Sequence, residues 1–270
     1  MAIVDEIFKE NLKEILKQEW EIDNRAKWKD GTPVKTKRIF GVVNKYDLSK
    51  EFPILTLRKH NIKSLFKEIS WIYQKKSNNV NDLGLNIWDS WTNEDGSIGK
   101  GYGYQINKPT FAYESQIDFI LNEIKRNPTS RRLVIEMWNV DDLNEMNLTP
   151  CVHHVQFGVK NGKLNAIVKQ RSNDFLVANN WNVASYALFI HMVARHTGLE
   201  VGEMIHVVGD MHIYNKHEEQ AYELLNREPL PAPKLWVNPD VRDFYEFTED
   251  DFKLIDYKYH EPQLKFEVAI

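Results

Sequence analysis

The sequence predicts an α+β fold in a single domain spanning residues 1–270. Three observations carry this: helical and strand-like periodicities alternate along the chain, no linker-like tract divides it, and apolar residues suffice for one large core. Of 270 residues, 42% are hydrophobic, 12% aromatic and 27% charged, a balance that suits a globular protein with a substantial interior.

Taken in order, Ile3, Ile7, Phe8, Leu12, Ile15 and Leu16 recur at helical spacing, so a helix over 2–18 is expected to pack by one face. The run Ile39 to Val43 reads as a strand. Ile62, Leu65, Phe66, Ile69, Ile72 and Tyr73 set a second helix over 60–76. Residues 77–109 are polar and glycine-rich with embedded tryptophans, and a loop-rich stretch of that length is more often functional than idle. A third helix is expected over 113–126. Strands follow at Leu133 to Trp138, Val152 to Val159 and Leu164 to Lys169. The last two flank Asn161-Gly162, a hairpin signal because both residues tolerate positive φ. Val183, Tyr186, Ala187, Ile190, Val193 and Ala194 set a fourth helix over 182–197, and Met204 to Val208 a further strand. Pro229, Pro231 and Pro233 mark a loop rather than a domain joint.

A net charge of −4 provides no general field for nucleic acid or an anionic membrane, while leaving room for a local basic site that holds a small phosphate. One cysteine forbids an intrachain disulfide and suits a reducing compartment. No run approaches the ~18 apolar residues of a membrane helix, and the first residues are charged and periodic rather than basic and then apolar. A cytoplasmic protein with neither membrane nor nucleic-acid partner is expected.

Cys151 follows Pro150 at the mouth of an expected strand. It reads either as a small buried hydrophobe or as a nucleophile whose thiolate needs nearby positive charge. Arg131, Arg132, Arg171 and Ser172 suit a phosphate, because guanidinium forks match its oxygens and a hydroxyl adds a donor. They also suit a solvated surface. Asp174 could pair with Arg171 or accept from the N–H groups of a heterocycle. Glu68 borders the apolar face of the second helix, where most glutamates are exposed. His153, His154, His206, His212 and His217 invite a metal, but adjacent histidines on a strand point to opposite faces and no metal-ligand spacing occurs, so no metal is expected. Trp88 and Trp91 read as core or as a stacking wall for a flat ligand.

Three blocks, TPCVHHVQFGVKNGKL, QRSNDFLVANNWNVASYALF and GDMHIYNKH, resemble in order and spacing the signature region of the thymidylate synthase family. The similarity extends to SRR at 130–132, IWDSWTNEDGSIGKGYGYQ at 87–105, KEISWIYQ at 67–74 and the terminal EVAI. The resemblance implies a large mixed sheet flanked by helices, with a sheet face used for homodimerisation. It implies reductive methylation of dUMP to dTMP, with 5,10-methylenetetrahydrofolate as carbon and hydride donor and no metal.

Carried over by residue, Cys151 matches the nucleophile that adds to C6 of uracil. Arg171 and Ser172, with Arg131 and Arg132 from the second subunit, match the phosphate site. Asn182 matches the reader of the pyrimidine edge, and an amide both donates to O4 and accepts from N3–H of uracil. His212 and Tyr214 match the pair that bonds the deoxyribose hydroxyl, and Asp174 the carboxylate that receives the folate pterin. Glu68 matches a glutamate assigned to proton traffic, with Tyr102 placed beside it. Trp88 and Trp91 match folate-contacting tryptophans, and Ile270 the C-terminus that closes over the ligands and excludes water.

Four departures from the pattern stand out. VANNWN replaces LGLPFN, so Val177, Ala178, Asn179, Asn180 and Trp181 form an altered folate wall. Val152 replaces a histidine after the nucleophile. Gly31 in KDGTP replaces a phosphate-loop arginine, for which Arg25, Lys27, Lys29 or Lys35 could substitute, Arg25 being preferred, and the region from Tyr104 to Phe111 is short. The nearest rival activity is dUMP hydroxymethylation, in which water quenches the methylene intermediate. A binding protein that has lost turnover is a more distant rival, since binding alone has no need of a thiolate.

Overall fold

In a computed structural model describing residues 1–268, these patterns become helices α1 (Ile3–Leu16), α2 (Ile62–Ile69), α3 (Gly103–Ile106), α4 (Gln116–Arg126), α5 (Asn179–Thr197) and α6 (Glu218–Asn226). The strands are β1 (Glu21–Lys27), β2 (Pro33–Asp47), β3 (Val134–Glu136), β4 (Val152–Lys160), β5 (Lys163–Asp174), β6 (Glu200–Tyr214), β7 (Lys234–Val237) and β8 (Phe252–Ile255). Six strands form one mixed sheet in the order β1-β2-β6-β5-β4-β3, and β7 pairs with β8 apart from it. All neighbours in the large sheet are antiparallel except β5 and β6. A parallel pair needs a long crossover, and α5 supplies it.

Register assigns the two faces. The row Asn44, His206, Val168 and Val155 is buried, while the adjacent row Lys45, Ile205, Ile167 and Gln156 is half-buried to exposed. The helices cover the first face. α5 is apolar nearly all round and buried on almost every side, as a helix inside a core must be. α1 buries Val4, Phe8, Leu12 and Ile15, with Phe8 stacked on Phe175 at 4.5 Å between ring centres. The other sheet face keeps Val43 56% exposed, and Phe40 on the same strand is 86% exposed.

The expected elements are present, with informative differences. β2 and β6 extend well beyond the apolar runs that marked them, because exposed Lys35, Lys45 and Glu200 interrupt hydrophobicity without interrupting strand alternation. The second helix is α only to Ile69 and continues as a π-helical turn over Ser70–Gln74. β1, α6, β7 and β8 carried too little periodicity to be marked. The Asn161-Gly162 turn has φ of 52° and 73°, as a primed hairpin turn requires. In the polar stretch 77–109, Gly103 opens α3 against Ser77, where a Cβ would lie 2.0 Å from the Ser77 carbonyl oxygen.

One argument from the sequence fails. His153 and His154 were expected on opposite faces, yet both rings reach Glu136, with Nδ1 3.4 Å from Oε1 and 2.9 Å from Oε2 respectively. The β4–β5 register shifts between Val152 and His154, and such an irregularity re-aims side chains. Among the described residues no helix is long and apolar enough to cross a membrane.

Candidate active site

Cys151 sits just before β4, and Arg171 on β5 faces it. The Arg171 N–H donates to the Cys151 carbonyl at 2.9 Å, so the two strands hold the two residues level. The guanidinium is then tethered to the Pro150 carbonyl at 3.1 Å and to the Thr149 carbonyl and hydroxyl at 2.8 and 2.9 Å. This leaves Nη2 3.9 Å from the Cys151 sulfur. The Cys151 N–H donates to the Tyr102 hydroxyl at 3.1 Å. Burial pushes the thiol up from its ordinary value, while Arg171, Tyr102 and Arg25 pull it down. Cys151, partly buried, thus lies at the junction of a dry interior and a cationic wall.

That wall belongs to a cleft lined by Arg25, Arg38, Arg171, Ser172, Asp210 and His212, among others. β1, β2, β5 and β6 each contribute, because the register sets Arg38 beside His212 and Ser172 beside Asp210. Arg25 forks onto Asp23, with Nε and Nη2 at 3.1 and 2.6 Å from its two oxygens. Arg38 binds Glu21 at 2.7 Å and reaches Asp210 at 3.4 Å. The cleft therefore concentrates three guanidinium groups: Arg171 held by carbonyls and a hydroxyl, Arg25 by the nearly buried Asp23, and Arg38 by the more exposed Glu21 and Asp210, whose place a phosphate could take. His212 bonds Asp210 through Nδ1 at 2.7 Å and meets the Tyr214 ring edge-on at 5.1 Å.

Glu68, which sequence statistics would leave exposed, is 8% exposed. Its two carboxylate oxygens accept from two indoles, Trp88 Nε1 at 3.0 Å and Trp181 Nε1 at 2.6 Å. Burial pushes its carboxyl up, and the bonds from Trp181 and Trp88 pull it down. Trp88 also packs edge-on against Tyr102 at 4.9 Å and Trp91 at 5.9 Å, so the tryptophans are half core and half site. Tyr102 has φ of 43° and ψ of −104°, a conformation costing about 1–3 kcal/mol for a non-glycine residue and concentrated at functional positions.

Asn182 lies in the first turns of α5, and its Oδ1 accepts from Gln170 Nε2 at 3.1 Å. Gln170, 2% exposed, in turn accepts from Asn173 at 3.0 Å and meets His206 Nε2 at 2.9 Å. The amide of Asn182 is thereby oriented from the interior. Asp174 ends β5 and does not pair with Arg171; burial pushes its carboxyl up, against His212 and His217. Ala178 caps α5 by backbone, with its N–H on the Asp174 carbonyl at 2.8 Å. Within the altered wall, Asn180 is 3% exposed and accepts from Leu55 N–H at 2.9 Å while donating to the Pro53 carbonyl at 3.3 Å.

Some expected residues are not brought together in this chain. Arg131 and Arg132 stand exposed before β3 and do not line the cleft. Ile270 lies outside the described residues. The chain nearest it is anchored: the His217 ring bonds the Glu267 carbonyl at 2.7 Å, and Phe266 lies under the Arg58 guanidinium at 4.9 Å. Sequence reasoning missed Arg38 and the orienting role of Gln170. Strand alternation through β2 would have pointed to Arg38 had its length been seen, and Gln170 adjoins Arg171. Among the described residues, no group of three or more His, Cys, Asp and Glu side chains is arranged to hold a metal ion.

Known proteins give the architecture a lineage. The thymidylate synthase family model matches residues 6–270. A thymidylate synthase of Bacillus mojavensis is 45% identical, with all of both chains covered. One of Bacillus subtilis subsp. natto is 47% identical over 93% of this chain and 92% of its own. The solved thermostable thymidylate synthase A from Bacillus subtilis superposes with a TM-score of 0.93 at 43% identity, covering 98% of this chain and 99% of that one. The chain therefore belongs to the thymidylate synthase family.

Proposed function

We propose that this protein is a thymidylate synthase that converts dUMP to dTMP, taking carbon and hydride from 5,10-methylenetetrahydrofolate and releasing dihydrofolate. The observation that carries the reading is the Cys151 sulfur 3.9 Å from Arg171 Nη2, beside a cleft lined by Arg25, Arg38, Ser172 and His212. A thiolate stabilised by a guanidinium is the nucleophile that can add to C6 of the uracil, making C5 electron-rich enough to attack the folate methylene.

The remaining roles follow from the groups. The arginines and Ser172 bind the nucleotide phosphate, with Arg25 standing in for the arginine absent at Gly31. Asn182 reads O4 and N3–H, held by Gln170. His212 and Tyr214 bond the deoxyribose hydroxyl. Glu68 handles protons at the pyrimidine and folate, and Tyr102 holds the nucleophile's backbone through the bond to its N–H. Asp174 receives the pterin against a wall that includes Trp88, Trp91, Ala178 and Trp181, and Ile270 closes it. The domain runs over 1–270. Two copies pair through the half-exposed sheet face, and the partner subunit's Arg131 and Arg132 complete each phosphate site. A reducing cytoplasm keeps the single thiol active.

The test mixes protein, dUMP and methylenetetrahydrofolate, follows dihydrofolate by absorbance and identifies the nucleotide. Stoichiometric dTMP and dihydrofolate are expected. Hydroxymethyl-dUMP without dihydrofolate, or no turnover, overturns the reading.

A further inference from the structure

The carboxyl of Glu68 is gripped twice, once on each oxygen, by Trp88 Nε1 at 3.0 Å and Trp181 Nε1 at 2.6 Å. An indole nitrogen only donates; it has no acceptor site and no alternative tautomer. A proton on Glu68 therefore cannot lie between the carboxyl and either ring. It must occupy the lone-pair direction that each oxygen keeps free, so the two indoles dictate the direction in which a proton can arrive or leave.

The surroundings leave this control to the tryptophans. Three buried phenols, Tyr73, Tyr102 and Tyr186, feel the charge of Glu68, and burial raises all three above their ordinary range, so they remain neutral. Among the described residues no cation acts on the carboxyl; burial raises it and the bonds from Trp181 and Trp88 lower it. Trp88 is fixed by Trp71, Trp91 and Tyr102. Trp181 reaches the other oxygen from the first turn of α5.

We infer that Trp181 is a positioning residue for Glu68, the second jaw of a two-indole clamp that fixes the carboxyl's orientation and the lone pair through which it exchanges protons. This rests on the proposed role of Glu68 in proton transfer during dTMP formation. Trp181 then serves the chemistry as well as the folate wall.

Trp181→Phe keeps an aromatic ring and removes the donor, and Trp88→Phe tests the other jaw. Losing one hydrogen bond to a charged group is expected to raise the Glu68 titration midpoint by about one unit. It would be read as the infrared band of the protonated carboxyl, assigned by its disappearance in Glu68→Gln. This measurement needs folded protein but no turnover, so it stands even if dTMP formation by the wild type is not observed. In turnover, the acid limb of kcat should move up by a similar amount, and kcat on that limb should fall about tenfold. KM for dUMP should stay within about twofold of wild type. An unmoved midpoint in folded Trp181→Phe overturns the clamp, and so does a loss confined to KM. If Trp181→Phe does not fold, an unmoved midpoint in Trp88→Phe overturns it equally.

Discussion

Cys151, Asn182 and Asp5 illustrate how single side chains are tuned by what touches them. Replacing the sulfur by oxygen in Cys151→Ser leaves a group far too basic to ionise beside Arg171, so kcat should fall at least about a thousandfold. Because the arginines of the cleft remain, dUMP binding measured by calorimetry should persist; substantial residual turnover would remove Cys151 from its role. Asn182→Asp keeps an acceptor for Gln170 Nε2 but loses the NH2 that would donate to O4 of uracil. Preference should move towards dCMP, whose 4-amino group donates, and competition between the two nucleotides measures it. Away from the cleft, Asp5 is fully buried on α1 and takes hydrogen bonds from the Thr56 N–H and hydroxyl. Burial pushes its pKa from 3.8 up to about 6. A raised folded pKa means this acid favours the fold most when protonated. That contribution is complete below the unfolded pKa of 3.8 and lost as pH rises through about 6. Asp5→Asn removes the titration, so the melting temperature should fall less between about pH 4 and pH 8 than in the wild type, by the equivalent of up to about 3 kcal/mol. An unchanged pH profile would show that Asp5 does not titrate in that window.

At the scale of elements, the sequence revealed the apolar frame and concealed the polar embroidery on it. α1, α4 and α5 were legible because one face or the whole surface is apolar at helical spacing, and the Asn161-Gly162 hairpin because turn chemistry is local. β2 and β6 were seen only at their hydrophobic middles, which is why Arg38 was missed: it lies on the same strand as Ile39 but enters the cleft only through its register with His212. The clamp on Glu68 was invisible for a related reason, since residues 68, 88 and 181 meet only in three dimensions. The altered VANNWN wall, legible as a departure, has a structural use the sequence did not disclose. Asn180 pins the 53–55 segment to the start of α5 by accepting from Leu55 and donating to Pro53. Asn180→Ala strands a buried N–H and should destabilise the fold by about 1–3 kcal/mol, lowering the melting temperature by several degrees. A variant that melts like the wild type would show that the tether contributes nothing.

For the whole molecule, the question is what completes a site that one chain leaves open. Within the chain, Arg25, Arg38 and Arg171 converge on the cleft, whereas Arg131 and Arg132 stand exposed elsewhere. The sheet face carrying Ile167 and Ile205 is only half-buried, with Val43 56% exposed beside it. A second copy of the chain related by a two-fold axis would cover that face and, by symmetry, exchange the arginine pair between the two sites. Subunit mixing distinguishes this arrangement from a self-sufficient monomer. Cys151→Ser and Arg131→Ala/Arg132→Ala proteins should each be nearly inactive alone. In a mixed dimer, one site inherits both defects and the other inherits neither, because its thiol and its arginines come from different parents. Random reassociation after reversible dissociation should therefore restore about one quarter of wild-type activity. If the mixture stays as inactive as its components while exchange is verified by mass, the arginines act in their own subunit and the shared-site dimer is wrong.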